Sequence, residues 1–390
     1  SAITTNFCAW RRAKGERCVK IDLAVLGRKF ERHQKEYEAA ALRVLRSGYY
    51  VLGLEVEAFE QEFAAYMGAK YAVGVNSGLD ALRLSVRALG LGAGDEVIVP
   101  ANTYIATVLA VTENGARPVF VEPDAYFNLS AEHLAAAISP RTKAIIAVHL
   151  YGQSANMAAI MEIAESHDIP VLEDCAQSHG AHFDGRMTGR FGVMGCFSFY
   201  PTKNLGAFGD AGAVVTDSEE LAESLRMMRN YGSKIKYQNE IAGVNSRLDE
   251  VQAALLRVGL LHLPEEIEER QRIAAAYLAQ IVNPWLVLPE KRRDAEHTYH
   301  QFVVRSKQRD DFQRYLKENG VTTLIHYPVP PHLARCYREL GHEEGDFPIA
   351  EEMAREVLSL PMFNGMTTEE VQYVIDLCND YHPNFGHGEG

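Results

Sequence analysis

The stretches Ala144-Ile-Ile-Ala-Val-His149 and Ile169-Pro-Val-Leu172 decide the fold class of this sequence. Both are continuous apolar runs, and residues 157–167 between them carry apolar side chains at helical spacing. A strand that is apolar on both faces belongs in a sheet covered on both sides, and a helix between two such strands is the connection that parallel pairing requires. The two stretches therefore predict a strand–helix–strand unit of a parallel sheet in an α/β fold.

The same alternation continues on both sides of this unit. Further strands are predicted at 71–75, 96–99, 118–121, 197–200 and 213–216, with an antiparallel member among the last two left open. Helical spacing occupies 20–66, 79–89 and 107–114. The sheet is therefore expected to be mostly parallel, with helices on both faces.

After about residue 265 the pattern changes to a smaller α+β unit. It reads as a long helix at 265–281, strands at 301–304 and 322–326, helices at 310–319 and 368–381, and an apolar run ending at 361. We therefore expect a large domain at 20–265 and a small C-terminal domain at 266–382, with an N-terminal extension at 1–19 and a flexible tail at 383–390.

Composition narrows the possible functions. The 390 residues are 47% hydrophobic and 23% charged, the balance of a globular protein, and no run of eighteen apolar residues suggests a membrane span. A net charge of −13 argues against nucleic-acid binding, although a local basic cluster could still bind a small anion. The six cysteines form no CxxC pair, and residues 1–18 lack the apolar centre of a secretory signal, so a cytoplasmic location is expected.

Lys203 is the first candidate for chemistry. It ends the run Ser198-Phe-Tyr-Pro-Thr-Lys203, directly after a predicted buried strand. A lysine in such a place is costly unless it is neutral, paired or covalently bound. A Schiff base with pyridoxal phosphate (PLP) meets that condition. The alternative is a surface lysine after a turn, where most lysines lie.

Three other positions that follow strands could serve the same cofactor. Gly78 and Leu79 open a helix whose free N–H groups could bind a phosphate, although Ser77 could equally act as a plain N-cap there. Tyr104 could lie on a planar ring or be an ordinary core tyrosine. Asp174 could pair with a protonated pyridine nitrogen or cap a helix.

Two more side chains extend this set. Gln177 lies three residues after Asp174 and could reach a phenolic oxygen, and Ser198 could share a phosphate with Gly78. A metal site is not expected, because Asp174 and His179 have no clear third ligand. A phosphate-binding helix, an aromatic, a carboxylate and a lysine occur in this order, each after a strand, and together they predict PLP binding.

The chain resembles the DegT/DnrJ/EryC1/StrS family of PLP-dependent sugar aminotransferases from about residue 20 to residue 382. The resemblance rests on the segments Asn76-Ser-Gly-Leu-Asp-Ala-Leu82, Pro100-Ala-Asn-Thr-Tyr-Ile-Ala-Thr107, His149-Leu-Tyr-Gly152, Glu173-Asp-Cys-Ala-Gln-Ser-His-Gly-Ala181, Ser198-Phe-Tyr-Pro-Thr-Lys-Asn-Leu-Gly206 and Gly243-Val-Asn-Ser-Arg-Leu-Asp-Glu250. It implies the aspartate aminotransferase-like fold, also called the type I PLP fold.

The resemblance also implies roles for individual residues. Lys203 would form the Schiff base, Asp174 would face the pyridine nitrogen, Tyr104 would stack on the ring and Gln177 would contact the phenolic oxygen. The phosphate would be held by Gly78, Leu79 and Ser198, and by Asn245 of the neighbouring subunit. The site would then be shared within a two-fold symmetric homodimer.

The turn Gly209-Asp-Ala-Gly212 is similar to the branch of the family that acts at sugar C3. This similarity implies transfer of an amino group from L-glutamate, by way of pyridoxamine phosphate, to C3 of a nucleotide-linked 3-keto-6-deoxyhexose in deoxyamino-sugar biosynthesis. The nucleotide expected by branch is dTDP, and 2-oxoglutarate is the co-product. A C4 sugar-nucleotide or cyclitol aminotransferase is the nearest alternative, and a non-catalytic PLP-binding regulator is an alternative of another class.

Substrate contacts are the least defined part of the prediction. The substrate diphosphate needs cations, and the sugar needs polar contacts. The candidates are Tyr231, Lys234, Lys236, Arg247 and His326, with Arg229 as a further available cation. Ordinary solvated charges, and a histidine that is hydrogen-bonded locally at a strand end, remain equally open for these residues.

Overall fold

The computed structural model describes residues 20–383 of the chain. The predicted extension at 1–19, and the predicted tail after its first residue, lie outside the described residues. Within 20–383, none of the helices combines the length and the apolar character that a membrane span needs.

A seven-stranded sheet forms the centre of the molecule, and three two-stranded pairs accompany it among the described residues. In chain order the strands are β1 (Tyr71–Val75), β2 (Glu96–Pro100), β3 (Arg117–Val121), β4 (Thr142–Val148), β5 (Val171–Asp174), β6 (His182–Phe183), β7 (Arg186–Met187), β8 (Met194–Ser198), β9 (Gly212–Thr216), β10 (Ser233–Ile235), β11 (Gln238–Asn239), β12 (Phe302–Arg305) and β13 (Val357–Leu360).

The central sheet has the strand order β1-β9-β8-β5-β4-β2-β3. Its neighbours from β8 to β3 are parallel, whereas β9 is antiparallel to both β8 and β1. The prediction of a mostly parallel sheet is therefore confirmed, and β9 is the antiparallel member that the sequence left open.

Helices cover this sheet and build the second unit. They are α1 (Leu26–Arg32), α2 (Gln34–Ser47), α3 (Leu54–Met67), α4 (Gly78–Ala88), α5 (Ile105–Thr112), α6 (Ala131–Ala137), α7 (Met157–Ser166), α8 (Glu219–Met228), α9 (Glu250–Gln280), α10 (Arg309–Glu318), α11 (Pro348–Glu356) and α12 (Thr368–Asp380).

Consecutive residues of β4 show that the sheet is buried on both faces. Ile146 packs in the cluster that contains Leu84 of α4, and Ile145 packs in a different cluster with Ile160 of α7. Because successive side chains of a strand point to opposite faces, helices must lie on both sides of the sheet. This arrangement explains why β4 is continuously apolar from Ala144 to Val148.

Helix α9 is longer than the sequence predicted. It runs continuously over 31 residues and contains Pro264, whereas only its charge-rich second half, from residue 265, was recognised. Leu256 and Leu263 of its first half pack in a cluster of the large unit, and Tyr277 packs in the core of the smaller unit. The predicted domain boundary at residue 265 thus falls inside a helix that joins two cores.

The smaller unit also differs locally from the prediction. The expected strand at 322–326 is absent as an element of the described chain, because Leu324 makes only an isolated bridge with Ser359 and Val321 bridges to Ile21. Ile21 itself packs into the core of the smaller unit, although it was assigned to the large one. The division into two domains stays a prediction.

Candidate active site

A cavity of about 380 Å³ lies at the carboxyl end of the parallel strands. Its size is in the range of sites for small molecules, and this edge of the sheet is where α/β folds bind ligands. Among the residues lining it are Gly78, Leu79, Tyr104, Asp174, Gln177, Ser198, Lys203 and His326. The fold therefore gathers eight predicted site residues from five separate segments into one space.

One wall of the cavity is the beginning of α4. Ser77 caps this helix by accepting a hydrogen bond from the backbone N–H of Asp80 at 3.1 Å, so the plain N-cap considered from sequence is present. The cap leaves the first N–H groups of the helix free to bind an anion. A Cβ on Gly78 would lie only 2.5 Å from the Cβ of Ser198, so close packing of the two segments requires glycine there.

A buried carboxylate lies deeper in the cavity. Asp174, the last residue of β5, accepts a hydrogen bond from Thr107 Oγ1 at 2.8 Å and one from the backbone N–H of Ala176 at 3.1 Å. Burial raises the pKa of Asp174, against the effect of these two bonds and of the nearby Lys203 charge. Thr107 was overlooked, although it ends one of the segments on which the resemblance rests.

Lys203 brings an amine close to this carboxylate. Burial lowers the pKa of Lys203 to about 8, and the charge of Asp174 limits the decrease. Within residues 20–383 the Nζ atom has no hydrogen-bond or ion-pair partner. An amine that is partly neutral near pH 7 and has no competing partner is suited to nucleophilic and acid–base chemistry.

A second buried lysine, Lys29, contacts the backbone next to Lys203. Lys29 of α1 donates a hydrogen bond to the backbone carbonyl of Asn204 at 3.0 Å, next to Lys203, and it pairs with Glu266 of α9 at 2.7 Å. Burial lowers the pKa of Lys29, whereas Glu266 opposes that change. No local pattern distinguishes Lys29 from other lysines, so sequence reasoning could not find this role.

Aromatic rings cover the cavity. Tyr104 is half exposed, and its ring centroid lies 4.9 Å from that of Tyr327, with the planes tilted by 34°. Tyr327 accepts a hydrogen bond from Gln177 Nε2 at 3.0 Å, and the amide oxygen of Gln177 accepts one from the backbone N–H of Tyr151 at 2.7 Å. Tyr327 follows His326 in sequence, but only His326 was singled out beforehand.

His326 makes the local hydrogen bond that was one of its two open interpretations, and its role as a sugar contact stays a prediction. Its ring Nδ1 lies 2.8 Å from the hydroxyl of Ser359, and the ring also lines the cavity. Burial lowers the pKa of His326 to about 4, with a further contribution from the charge of Lys203. The ring is therefore neutral near pH 7.

The other predicted substrate residues lie outside this cavity. Tyr231, Lys234, Lys236 and Asn245 are exposed, and Arg247 places its guanidinium over the Tyr231 ring at 5.7 Å. They belong to the segment 231–247, which includes β10 and β11. None of these five residues lines the cavity of the described chain.

Arg229 is not available to a substrate in the way that the sequence suggested. It is buried, it forms an ion pair with Glu60, and it donates a hydrogen bond to the carbonyl of Gly74 at 2.6 Å. The guanidinium therefore fastens α3 and β1 to the end of α8, and its prediction as a free cation is wrong.

The residues of the cavity fit PLP. A buried carboxylate suits the ring nitrogen, an unpaired amine suits the aldehyde carbon, and a free helix N-terminus suits the phosphate. The close approach of Gly78 to Ser198 leaves the helix N–H groups open to the cavity instead of covering them with a side chain. These features are properties of this chain and do not depend on its relatives.

Comparison with known proteins agrees with this chemistry. The model of the DegT/DnrJ/EryC1/StrS aminotransferase family matches residues 31–379. A curated relative from Aneurinibacillus thermoaerophilus, dTDP-3-amino-3,6-dideoxy-alpha-D-galactopyranose transaminase, is 52% identical over 90% of this chain and 96% of its own length. A second, dTDP-3-amino-3,4,6-trideoxy-alpha-D-glucose transaminase from Streptomyces venezuelae, is 48% identical over 95% and 97%.

A solved structure extends the likeness to the fold. The crystal structure of DesV from S. venezuelae superposes with a TM-score of 0.91 at 48% identity, and the match covers 92% of this chain and 98% of DesV. The family match includes every residue that lines the cavity. The chain belongs to the DegT/DnrJ/EryC1/StrS aminotransferase family, and it is a PLP-dependent transaminase.

Proposed function

We propose that this transaminase moves an amino group from L-glutamate to C3 of a dTDP-linked 3-keto-6-deoxyhexose, with 2-oxoglutarate as co-product. The observation that carries the proposal is the 52% identity to the A. thermoaerophilus enzyme over nearly the full length of both chains. The S. venezuelae relative, also named for a dTDP-3-amino sugar, supports the same ring position. Since both relatives are 3-amino enzymes, the C4 and cyclitol alternatives are not favoured.

PLP, when bound, supplies an electron sink for the carbon that loses a proton and a carrier for the amino group. We propose that Asp174 pairs with its ring nitrogen, that Tyr104 covers the ring and that Gln177 contacts the phenolic oxygen. The hydrogen bonds from Thr107 and Ala176 support this role of Asp174, because they hold the carboxylate at the end of β5.

The phosphate is proposed to bind at the N-terminus of α4. Backbone N–H groups of Gly78 and Leu79, in the first turn of α4, would donate to the anion, and the hydroxyl of Ser198 lies against Gly78. Asn245 of a second copy completes the phosphate site in this proposal. Its exposure and its absence from the lining of the chain's own cavity support the idea that it serves a neighbouring subunit.

Lys203 performs the proton transfers in this scheme. Its Nζ would carry the proton from the α-carbon of the amino donor to the cofactor carbon that bears the amino group, and in the second half-reaction from that carbon to C3 of the sugar. A pKa of about 8 allows proton transfer in both directions near pH 7, because the amine can gain or lose a proton without a large energetic cost. The neutral ring of His326 lies in the same cavity and is proposed to contact the sugar.

The enzyme is proposed to act as a two-fold symmetric homodimer. In such a dimer the segment 231–247 of one copy reaches the cavity of the other, where Tyr231, Lys234, Lys236 and Arg247 would bind the nucleotide diphosphate. The two lysines and Arg247 supply positive charge that the chain's own cavity offers only at Lys203 among the lining residues. This gain in charge supports the dimer, because a diphosphate needs cations.

A cytoplasmic location is also proposed. Four cysteines lie in the described part of the chain, and all four are free thiols, three of them buried. Free thiols are the rule in the reducing cytoplasm. Secreted enzyme recovered with oxidised, paired cysteines would contradict this part of the proposal.

The deciding experiment is product identification. Purified enzyme with PLP and L-glutamate is given dTDP-3-keto-6-deoxyglucose and, separately, its galacto epimer, and the amino sugar is identified by mass spectrometry and NMR. Amination at C3 of either epimer is the expected outcome. If glutamate converts the cofactor absorbance to that of the amine form but neither sugar is aminated, the transaminase remains and the C3 substrate is rejected.

A further inference from the structure

A second cluster of chemically active side chains lies outside the cavity. His33 separates α1 from α2, Glu36 follows in the first turn of α2, and His262 lies in the first half of α9. His33 Nδ1 is 3.5 Å from Glu36 Oε1, and His262 Nε2 is 3.0 Å from Glu36 Oε2. None of the three residues lines the cavity, and the transaminase chemistry uses none of them.

The spacing of the donor atoms suits a small divalent cation. The three ligand atoms all lie within 4.8 Å of one another. Zinc binds imidazole nitrogen and carboxylate oxygen at about 2.0–2.2 Å in a tetrahedral shell, so its ligand atoms are about 3.3 Å apart. The two imidazole nitrogens lie 3.5 Å and 3.0 Å from different oxygens of the Glu36 carboxylate, on either side of that value.

The orientation of the rings sets one requirement. The two imidazoles are stacked, with centroids 3.5 Å apart and planes 13° from parallel, so an ion between their nitrogens would lie outside both ring planes. One ring must therefore rotate about its Cβ–Cγ bond on binding. The cluster is at the surface, with the side chains of His33 and His262 about one-fifth exposed and that of Glu36 about half exposed, which leaves room for this rotation and for water as a further ligand.

The other cluster of comparable composition does not have these properties. His149, Glu173 and Cys175 also bring three donor atoms within 4.8 Å, but all three are fully buried. The Glu173 carboxylate already accepts hydrogen bonds from three backbone N–H groups of the 189–192 segment and contacts the His149 ring. Because the acceptor sites of Glu173 are already used, this cluster is a structural hydrogen-bond centre.

The setting of the surface cluster suggests what an ion there would do. Lys29 and Arg32 of α1 already pair with Glu266 and Glu269 of α9, each at 2.7 Å. His33 and His262 continue this row of contacts between the same two parts of the chain. We propose that His33, Glu36 and His262 bind one divalent transition-metal ion of the Zn²⁺ type, with water completing its coordination, and that the ion fastens the start of α2 to α9.

The proposal is tested on the full-length PLP-loaded enzyme, freed of any polyhistidine tag and treated with a chelator. Zn²⁺ is titrated in competition with a chromophoric chelator, and the melting temperature is followed with and without Zn²⁺. We expect one Zn²⁺ per chain and a higher melting temperature with the ion. His262→Ala and His33→Ala should each weaken binding at least tenfold and abolish the Zn²⁺-dependent shift in melting temperature.

Two variants serve as controls. His167→Ala removes an exposed histidine whose ring, among the described residues, hydrogen-bonds to Ile163 and Ser166 of its own helix, and Cys336→Ser removes an exposed thiol; both should bind Zn²⁺ like the parent. An unchanged PLP absorbance spectrum in the histidine variants shows that they are folded. Equal Zn²⁺ affinity in parent, His33→Ala and His262→Ala would overturn the proposal, and so would loss of binding in Cys336→Ser or the absence of stoichiometric binding.

Discussion

Two regions that concern the same reaction are built in opposite ways. The surroundings of Lys203 are buried groups from distant parts of one chain, as in the contact of Lys29 with Asn204, the next residue after Lys203, and with Glu266. The segment 231–247 carries exposed groups, and its Lys234 pairs with Glu223 where the two side chains are about half exposed. Folding of one chain fixes the first region, whereas the second is expected to acquire its function only against another copy.

The largest effect on activity is expected from a change of Lys203. Lys203→Ala should lower transamination by about 10³-fold or more, because no other described group near Asp174 offers an amine for the proton transfers. The measurement is the rate at which glutamate converts bound PLP to its amine form. Lys234→Ala, which changes a lysine of the exposed segment, should leave that half-reaction within about twofold. Comparable losses of rate in both variants would contradict the contrast between the buried region around Lys203 and the exposed segment 231–247.

The two lysine ion pairs should also differ in their contribution to stability. Lys29→Met is expected to lower the free energy of unfolding by about 3–5 kcal/mol, because it leaves Glu266 buried without its partner. Lys234→Met should change it by less than about 1 kcal/mol, since exposed pairs contribute little. Urea unfolding of both variants with PLP bound measures the difference. Near-equal values would mean that water reaches Glu266.

The pH dependence of stability offers a sharper view of Lys203. In the cofactor-free protein its pKa is lowered from 10.5 to about 8, so between these values the unfolded chain binds more protons than the folded one. Stability from this group therefore rises as pH increases from 8 to 10.5, by up to about 3 kcal/mol. Relative to Lys203→Met, the cofactor-free parent should gain that amount across the window in urea unfolding. A constant difference would show that the amine is solvated.

The smallest single effect is expected in the exposed segment. Asn245→Ala should weaken PLP binding about tenfold, the value of one hydrogen bond to a charged group. Mixing it with Lys203→Ala after dissociation and reassociation should restore about one quarter of parental activity at limiting PLP, because half of the dimers are mixed and each contains one intact site. Activity no higher than that of either variant alone would mean that Asn245 serves its own chain or no site.

The parts of the molecule that could be predicted from sequence are those marked by patterns among neighbouring residues of the chain. Continuous apolar strands revealed the parallel sheet, and the residues directly after those strands gave Gly78, Asp174 and Lys203. Lys29 was missed because its partner Glu266 is brought close only by the packing of α1 on α9. Tyr327 was missed because its place in the site depends on contacts with Gln177 and Tyr104, and the spacing of residues along the sequence does not reveal such contacts.

Helix α9 has a consequence for how this chain could exchange parts with its relatives. A continuous helix of 31 residues, about 46 Å long, belongs to the cores of both units. A chimera joined at residue 265 would combine two half-helices from different parents, and the buried face of each half would be adapted to the core of its own parent. Junctions in the loop before Glu250 or after Gln280 keep the helix whole. Chimeras that exchange parts between relatives are therefore expected to fold better when all of α9 comes from one parent.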